Sequence, residues 1–439
     1  MNKNDKFNCI ITDLNDDGQG VAKINNEVVF IPYCLPEESV SGVIINAKQK
    51  FAIGKAQEIT NKSNFRATPP CPYFEKCGGC DLQHLIYEKQ LEFKQNKVNH
   101  LLKKIANIDF SVLPTYSANQ LRYRNKIALP INENGEIGLY RKNTHNILKV
   151  DDCLISKEWI KDLICQTEKY IKLSKDSGYN ELTKQGNLRH IVARELNGNF
   201  LFTIVTTQNQ LKDKDLLIKL LKEKFDFFGL NININKSINN AILSNEWKHL
   251  YGLTELTATD NGITYPVNNA SFLQINDDVK NVVYKKICDQ IEDNEIVINA
   301  YSGAGLLSAQ ICKKAKECYG VEIVKEATEN ANTLAKNNNL TNLINICDDC
   351  AKQIPILLKK HNASTIILDP PRKGVDEKVL KSIIDAKLKK IIYLSCNPST
   401  LARDIKILTE NGYKLTYAEP FDMFPQTAHV ETLTTLTLN

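Results

Sequence analysis

Two sequence segments contain cysteines whose neighbouring residues suit metal binding or nucleophilic catalysis. The stretch CPYFEKCGGCDLQH places Cys71, Cys77 and Cys80 within ten residues around a Gly-Gly turn, a spacing typical of a metal site. A tetrahedral thiolate site needs a fourth ligand, and no further cysteine lies nearby. Far along the chain, LSCNPS surrounds Cys396 with Ser, Asn and Pro rather than core residues, so we interpret Cys396 as a nucleophile.

An acidic loop precedes this second cysteine. Asp369-Pro370-Pro371-Arg372 follows the apolar run TIIL. An acid followed by two prolines after the fourth strand of a sheet is typical of a methyltransferase active site, because rigid prolines fix a polar group beside the methyl donor. The loop therefore indicates group transfer.

A glycine loop lies earlier in the same region. The run EIVINA is followed by Tyr301-Ser302-Gly303-Ala304-Gly305, and Glu322 ends the next apolar run. Such a loop lets a ligand approach the backbone, and an acid at a strand end can accept hydrogen bonds from ribose hydroxyls. S-adenosylmethionine enzymes and nicotinamide enzymes share both features. Ser308 stands where a third glycine would complete a dinucleotide motif, and a tight turn with a surface Glu is the simpler interpretation.

The acidic loop and Cys396 favour S-adenosylmethionine. Carbon 5 of a pyrimidine is a poor nucleophile until a thiolate adds to carbon 6, after which carbon 5 can displace a methyl group from a sulfonium. A base must then remove the carbon 5 proton. Glu431, in AHVETL, is the available carboxylate, although such a residue alone is more often a solvated strand position.

The elements that must position these residues fall into three regions. After about residue 280, apolar runs alternate with helical patterns, which predicts βαβ units around a parallel sheet with ligands at the carboxyl ends of its strands. The first sixty residues predict a small β-barrel of short strands and glycine turns. The middle predicts a mixed α+β region, including a helix over about 88–107.

Composition bounds the class of protein. A chain of 439 residues with 42% hydrophobic and 24% charged residues predicts a multidomain globular protein. No apolar run reaches the length of a membrane span, and no secretory h-region is visible, so we expect a cytoplasmic, monomeric protein with reduced thiols. Residues 60–130 hold eleven Lys and Arg against five acids, whereas residues 1–59 hold six lysines against eight acids, so an anionic partner is expected at the central segment.

Together these motifs resemble the RNA uracil-5-methyltransferase family, and specifically its bacterial 23S ribosomal RNA branch. The N-terminal DGQGVAK and VFIPYCLPEE are similar to a TRAM domain, an RNA-binding β-barrel, and CPYFEKCGGCDLQH is similar to the family's iron–sulfur segment. RYRNK, LRHIVAR, ASFLQIN, the glycine loop, GVE, LDPPRKG, LSCNPSTLARD and HVETL follow in the family's order. The match covers nearly the whole chain.

The resemblance implies the fold, the cofactors and the roles of individual residues. It implies a TRAM-like barrel over 1–59, an iron–sulfur and RNA-binding α+β domain over 60–265, with helix 88–107 packing on the catalytic domain, and a Rossmann-like methyltransferase domain over 266–439. It implies Cys396 as nucleophile and Glu431 as base. The other implied residues contact S-adenosylmethionine (Gln274, Tyr301, Glu322 and Asp369) or bind a 4Fe-4S cluster (Cys71, Cys77, Cys80 and Cys153). Cys347 and Cys350, in ICDDCAK, match no family ligand and are interpreted as structural.

Several functions compete. The leading hypothesis is methylation of carbon 5 of a uridine in 23S ribosomal RNA, and the same reaction on transfer RNA is the alternative. An amino-methyltransferase would use the Asp-Pro-Pro loop without a cysteine. A non-enzymatic iron–sulfur RNA-binding protein would not bind S-adenosylmethionine. Zinc is a chemical alternative to the cluster, because four thiolates suit either metal.

Overall fold

An N-terminal sheet of six strands opens the chain. In the computed structural model, which describes residues 1–271 and 273–439, the strands lie in the order β1-β5-β6-β4-β3-β2, and β4 pairs with β6 in parallel. Phe7 fills the core of this sheet, where a Cβ at Gly42 or Gly54 would approach its ring to 2.7–2.8 Å. The strands are β1 (Lys6–Ile10), β2 (Asp13–Leu14), β3 (Gly20–Ile24), β4 (Glu27–Ile31), β5 (Ser39–Ala47) and β6 (Phe51–Asn61).

Helix α1 (Tyr87–Leu101) follows the cysteine segment and ends in a π-helical turn, Leu102–Ala106. The turn closes at Asn107, whose φ of 57° is left-handed. Val98 and Leu101 of this helix belong to the same apolar cluster as Ile405 and Leu408 of the C-terminal region. Helix α1 therefore packs against the part of the chain that holds the predicted catalytic residues.

The middle of the chain forms a second sheet, in the order β13-β12-β11-β10-β7, and a separate hairpin of β8 with β9. Two amphipathic helices cover this sheet and share a core cluster with it. The elements are β7 (Lys126–Pro130), β8 (Gly138–Tyr140), β9 (Ile147–Lys149), α2 (Ile160–Ser174), β10 (Leu188–Leu196), β11 (Asn199–Thr206), α3 (Lys214–Lys222), β12 (Phe228–Ile234) and β13 (Trp247–Gly252).

A hairpin of β14 (Leu256–Asp260) and β15 (Ile263–Val267) leads into the C-terminal region. Its apolar residues share a core cluster with the C-terminal sheet. The expected domain boundary between residues 265 and 266 falls inside β15. We therefore propose a catalytic unit that begins with this hairpin.

The C-terminal region is a seven-stranded sheet in the order β18-β17-β16-β19-β20-β22-β21. The first five of these strands are parallel, and β22 runs antiparallel to both of its neighbours. The elements are α4 (Asp277–Asp289), β16 (Ile296–Ala300), α5 (Leu306–Ile311), β17 (Glu317–Glu322), α6 (Lys325–Asn337), β18 (Leu343–Cys347), α7 (Cys350–Lys360), β19 (Thr365–Leu368), α8 (Glu377–Asp385), β20 (Lys390–Ser395), α9 (Pro398–Glu410), β21 (Tyr413–Phe421) and β22 (Glu431–Leu438).

The strand order reverses direction between β16 and β19. In open parallel sheets a crevice forms at the carboxyl ends of the strands beside such a reversal, and ligands bind there. No helix within the described residues is both long and apolar enough to span a bilayer.

Candidate active site

Three predicted site residues meet at the carboxyl edge of the C-terminal sheet. Cys396 follows β20, and Asp369 follows its parallel neighbour β19. Glu431 begins β22, which pairs with β20 so that Ser395 lies opposite Thr432. The next step along the two antiparallel strands brings Cys396 beside Glu431.

Burial and neighbouring negative charges raise the pKa values of the three acidic groups in this crevice. Burial raises the pKa of Asp369 to about 7. Burial, reinforced by the charge of Asp369, raises the pKa of Glu431 to about 8. Burial followed by the charges of Glu431 and Asp369 raises the pKa of the Cys396 thiol to about 11. Ionisation of one of these three groups therefore makes ionisation of the others less favourable. Transferring a proton from one group to another costs less free energy than ionising all three.

Arg372, in the same loop as Asp369, opposes this trend. Its guanidinium lowers the pKa of Cys396 and of Glu431, although burial outweighs it at both. The Arg372 carbonyl accepts a hydrogen bond from Asn397 Nδ2 at 2.9 Å, which joins the acidic loop to the residue after Cys396. Arg372 is exposed to solvent.

The glycine loop and Glu322 form a second part of the crevice. Glu322 Oε2 accepts a hydrogen bond from the Gly303 amide at 2.9 Å, and Oε1 accepts one from the Val324 amide at 2.9 Å. Gly303 has a φ of 54°, and a Cβ built there would meet no atom within 4 Å. A carboxyl group beside open space at the first βα turn fits the ribose and methionine parts of S-adenosylmethionine.

Tyr301 lies at the start of this loop. Its φ of 61° is left-handed, and it directly follows β16. Its hydroxyl accepts a hydrogen bond from the Asp376 amide at 3.5 Å, which connects the glycine loop to the segment after Asp369. Burial raises the pKa of Tyr301 to about 12, so its hydroxyl stays neutral, and the side chain packs against the core of the C-terminal region.

Gln274 lies before α4 rather than on the C-terminal sheet. It is buried, and its carbonyl accepts a hydrogen bond from Asn125 Nδ2 at 3.3 Å. Within residues 1–271 and 273–439, its side chain makes no hydrogen bond to another predicted site residue. In the ASFLQIN motif, Phe272 lies outside the described residues.

The four predicted cluster ligands line one cavity of about 180 Å³ (Cys71, Cys77, Cys80 and Cys153). The part of the chain that the structure describes contains no group of three or more His, Cys, Asp or Glu side chains arranged to hold a single metal ion. The walls of the cavity also include Gln83, Arg124 and Asp152. All four predicted ligands thus line one cavity, but their side chains are not grouped around a single metal position.

Cys347 and Cys350, the two cysteines of the ICDDCAK segment, do not line this cavity. Cys350 is buried, and its thiol donates a hydrogen bond to the Val321 carbonyl at 3.8 Å, whereas Cys347 is exposed at the end of β18. The structure therefore gives these two cysteines different surroundings.

Comparisons with known proteins agree with this geometry. Residues 86–438 match the tRNA (uracil-5-)-methyltransferase family, and residues 3–56 match the TRAM domain. The chain belongs to the tRNA (uracil-5-)-methyltransferase family. An uncharacterized RNA methyltransferase of Listeria monocytogenes serotype 4b is 38% identical over 448 residues, covering 100% of this chain and 99% of that protein. One from Clostridium acetobutylicum is 37% identical over 99% of this chain and 97% of its own length.

A solved structure also matches this member of the family along its length. It is the Pyrococcus abyssi tRNA (uracil-54, C5)-methyltransferase in complex with S-adenosyl-L-homocysteine. The two chains are 27% identical with a TM-score of 0.83, and the match covers 98% of this chain and 100% of that one. The methyltransferase fold, the N-terminal TRAM domain, the use of S-adenosylmethionine and an RNA substrate are thereby confirmed.

Two residues of this methyltransferase's crevice were not predicted. The charges of Asp369 and Glu431 add to burial in raising the pKa of Tyr284, which places the α4 tyrosine beside them. Arg372 adjoins the Asp-Pro-Pro motif, and its position in LDPPRKG was the signal that could have identified it. Nothing in the sequence around Tyr284 distinguishes it from an ordinary half-buried helix residue.

Proposed function

We propose that this protein methylates carbon 5 of a uridine in 23S ribosomal RNA, with Cys396 as nucleophile and Glu431 as base. The observation that supports this most strongly is the meeting of the Cys396 thiol with the buried Glu431 and the half-buried Asp369 at the carboxyl edge of the sheet. An amino-methyltransferase needs no thiol at that position.

The reaction assigns each residue one task. Cys396 Sγ gives its proton to the Asp369 carboxylate and adds to carbon 6 of the uracil, which gives carbon 5 the electron density to attack. S-adenosylmethionine supplies the electrophilic methyl group. Glu431 then takes the carbon 5 proton, the C5–H electron pair forms the C5–C6 double bond, and the sulfur leaves carbon 6 as a thiolate. Arg372 stabilises the negative charge that accumulates during addition.

The cofactor would be held along the glycine loop. Glu322 would accept hydrogen bonds from the ribose, and Tyr301 would pack against the cofactor. Gln274 and Asp369 complete the proposed contacts, and Asp369 also faces the uracil side of the crevice because it shares its surroundings with Glu431. The target uridine must be flipped out of its stack to reach Cys396.

Transfer RNA is the second candidate substrate. The Pyrococcus abyssi enzyme, which acts on uracil-54 of tRNA, matches 98% of this chain, including the N-terminal region. A TRAM-like barrel therefore does not by itself separate a ribosomal enzyme from a transfer-RNA enzyme. We favour the ribosomal branch because four cysteines line one cavity, as an iron–sulfur segment would require.

We propose that the cysteine cavity holds a 4Fe-4S cluster. Cys71, Cys77, Cys80 and Cys153 would be its ligands. Burial raises the pKa of the Cys80 thiol to about 12, so a metal would have to displace the proton of this thiol. Arg124 Nε is buried and has no hydrogen-bond partner within the described residues. An unpaired cation in the cavity wall suits a negatively charged cluster. Four thiolates are the donor set that such a cluster uses. Methyl transfer needs no electron from the cluster, so we assign it a structural role.

We assign a separate role to each region of the chain. The cluster would fasten Cys71–Cys80 to Cys153 within the central iron–sulfur domain. The basic segment 60–130 would contact the RNA backbone together with the TRAM domain. We propose that the protein acts as a monomer.

The test is to map 5-methyluridine in ribosomal and transfer RNA from a strain that lacks this gene. Loss of the modification from 23S ribosomal RNA, restored by the wild-type gene but not by Cys396→Ala, is the expected result. Loss from transfer RNA alone would favour the second candidate. Unchanged 5-methyluridine in both would refute the proposed function.

A further inference from the structure

Glu431, the proposed base, begins strand β22. The residues that lead into this strand are contacted by segments that lie outside the C-terminal sheet. Glu431 is buried at the first position of β22, and its carboxyl makes no hydrogen bond within the described residues. Its position therefore depends on the backbone. That backbone arrives through residues 422–430, which connect β21 to β22.

Helix α1 contacts this connection at regular intervals. Lys94 Nζ bonds the Asp422 carboxylate and donates to the Phe424 carbonyl at 3.2 Å. Gln90 Nε2 donates to Gln426 Oε1 at 3.1 Å. Lys97 Nζ donates to the Ala428 carbonyl at 3.1 Å. Gln90, Lys94 and Lys97 lie on one face of the helix, so consecutive turns hold alternate residues of the connection.

The cysteine segment contacts the same connection. The amides of Asp81 and Leu82 donate to the Gln426 carbonyl at 2.9 and 3.0 Å. Gln426 has a φ of 71°, a left-handed conformation that is costly for a non-glycine residue unless its surroundings impose it. Glu431 lies five positions after this strained residue.

The Lys94–Asp422 pair is unusual because neither side chain is exposed to solvent. Tyr87 donates a second hydrogen bond to Asp422, at 2.9 Å from its Oδ2. A buried ion pair adds little net stability over apolar residues of the same size, since its desolvation offsets its attraction. Its best-attested use is to fix one arrangement of the groups around it.

We propose that Lys94 and Gln90 are positioning residues for Glu431, which hold the connection 422–430 so that the carboxyl meets the carbon 5 proton. This inference rests on the proposed function. Cys396 directly follows β20 and lies outside the connection, so addition to carbon 6 and methyl transfer should survive loss of the contact. Proton removal should not.

The distinguishing result is a covalent intermediate. When the carbon 5 proton stays in place, the C6–S bond cannot break, and Cys396 remains attached to the methylated nucleotide. Wild type and variants would be mixed with total RNA from the deletion strain and methyl-labelled S-adenosylmethionine. Denaturing gels would then measure labelled protein–RNA adduct, and nuclease digestion would measure free 5-methyluridine.

We expect Lys94→Met to release 5-methyluridine about tenfold more slowly and to accumulate the labelled adduct. Gln90→Met should do the same to a smaller extent, without leaving an unpaired buried charge. Lys285→Met is the matched control, because it breaks an exposed Lys–Asp pair of α4 and should behave as wild type. If Lys94→Met does not fold, the neutral double variant Lys94→Met/Asp422→Leu replaces it, and Gln90→Met provides an independent measurement.

Glu431→Gln separates the two levels of the argument. If that variant fails to trap a labelled adduct, Glu431 is not the base and the proposed mechanism is wrong. If Glu431→Gln traps the adduct while folded Lys94 and Gln90 variants release product at the wild-type rate, or lose rate without adduct, the positioning role is overturned.

Discussion

The carboxyl groups of Asp369 and Glu431 share one crevice, where the charge of Asp369 adds to burial in raising the pKa of Glu431 to about 8. Burial raises the pKa of Asp369 itself to about 7. Two carboxyls that both titrate near neutrality can hold one proton between them. When both are ionised, Asp369 can accept the thiol proton and Glu431 can accept the carbon 5 proton.

The pH dependence of the reaction follows from these values. Glu431 must be ionised to act as a base, and Cys396 must be ionised to add to carbon 6, so product formation should rise as pH increases from 6 to 9. Single-turnover measurements of 5-methyluridine would test this in wild type. A rate that is flat or falls over this range would contradict a base with a raised pKa.

The same shift predicts a change in stability. A buried carboxyl with a raised pKa favours the protonated folded state, so its contribution is present at low pH and is lost as pH rises through about 8. Glu431→Gln should therefore unfold at a higher temperature than wild type at pH 9, by at least about 2 °C, and at nearly the same temperature at pH 5. Thermal unfolding at the two pH values measures this. A variant that is less stable than wild type at pH 9 would contradict the burial of an ionisable carboxyl.

Arg372 should control the reactivity of Cys396. Its charge lowers the pKa of the thiol, so Arg372→Met should reduce the thiolate fraction at a given pH. The rate of alkylation of Cys396 by iodoacetamide, followed by mass spectrometry at several pH values, should shift to higher pH. Lys373→Met removes the exposed neighbouring charge and serves as the control. Equal pH profiles for the two variants would exclude a specific effect of Arg372.

The cysteine cavity predicts bound iron. Protein purified without oxygen should contain about four iron atoms per chain and absorb broadly in the visible range. Cys77→Ser should lose most of this iron, whereas Cys165→Ser, which alters an exposed cysteine of α2, should keep it. Colourless wild-type protein that contains zinc would overturn the cluster assignment.

The folding of the C-terminal region was largely predictable from the sequence. Apolar runs followed by helical patterns predicted βαβ units, and the glycine loop, Glu322, Asp369 and Cys396 were each expected at strand ends, where the structure has them. Such predictions succeed because a buried strand and the turn that follows it are encoded by adjacent residues.

Contacts between segments that are distant in the sequence were harder to predict. Cys396 meets Glu431 only because β20 pairs with β22, and an antiparallel neighbour at this point cannot be read from local periodicity. Cys153 reaches the cavity of the other three cysteines through the fold of the central region; the sequence supplied it only by resemblance. The Lys94–Asp422 pair joins residues 328 positions apart, and neither residue stands in a recognisable motif.

The need for the Cys396 thiolate is tested by the activity of Cys396→Ala on total RNA from the deletion strain. The variant should bind S-adenosylmethionine as wild type does by calorimetry and should form no 5-methyluridine, while Cys347→Ala, an exposed cysteine of β18, should remain active. Methylation of carbon 5 by folded Cys396→Ala would contradict the account, because it would show that the thiolate is not needed to activate the uracil.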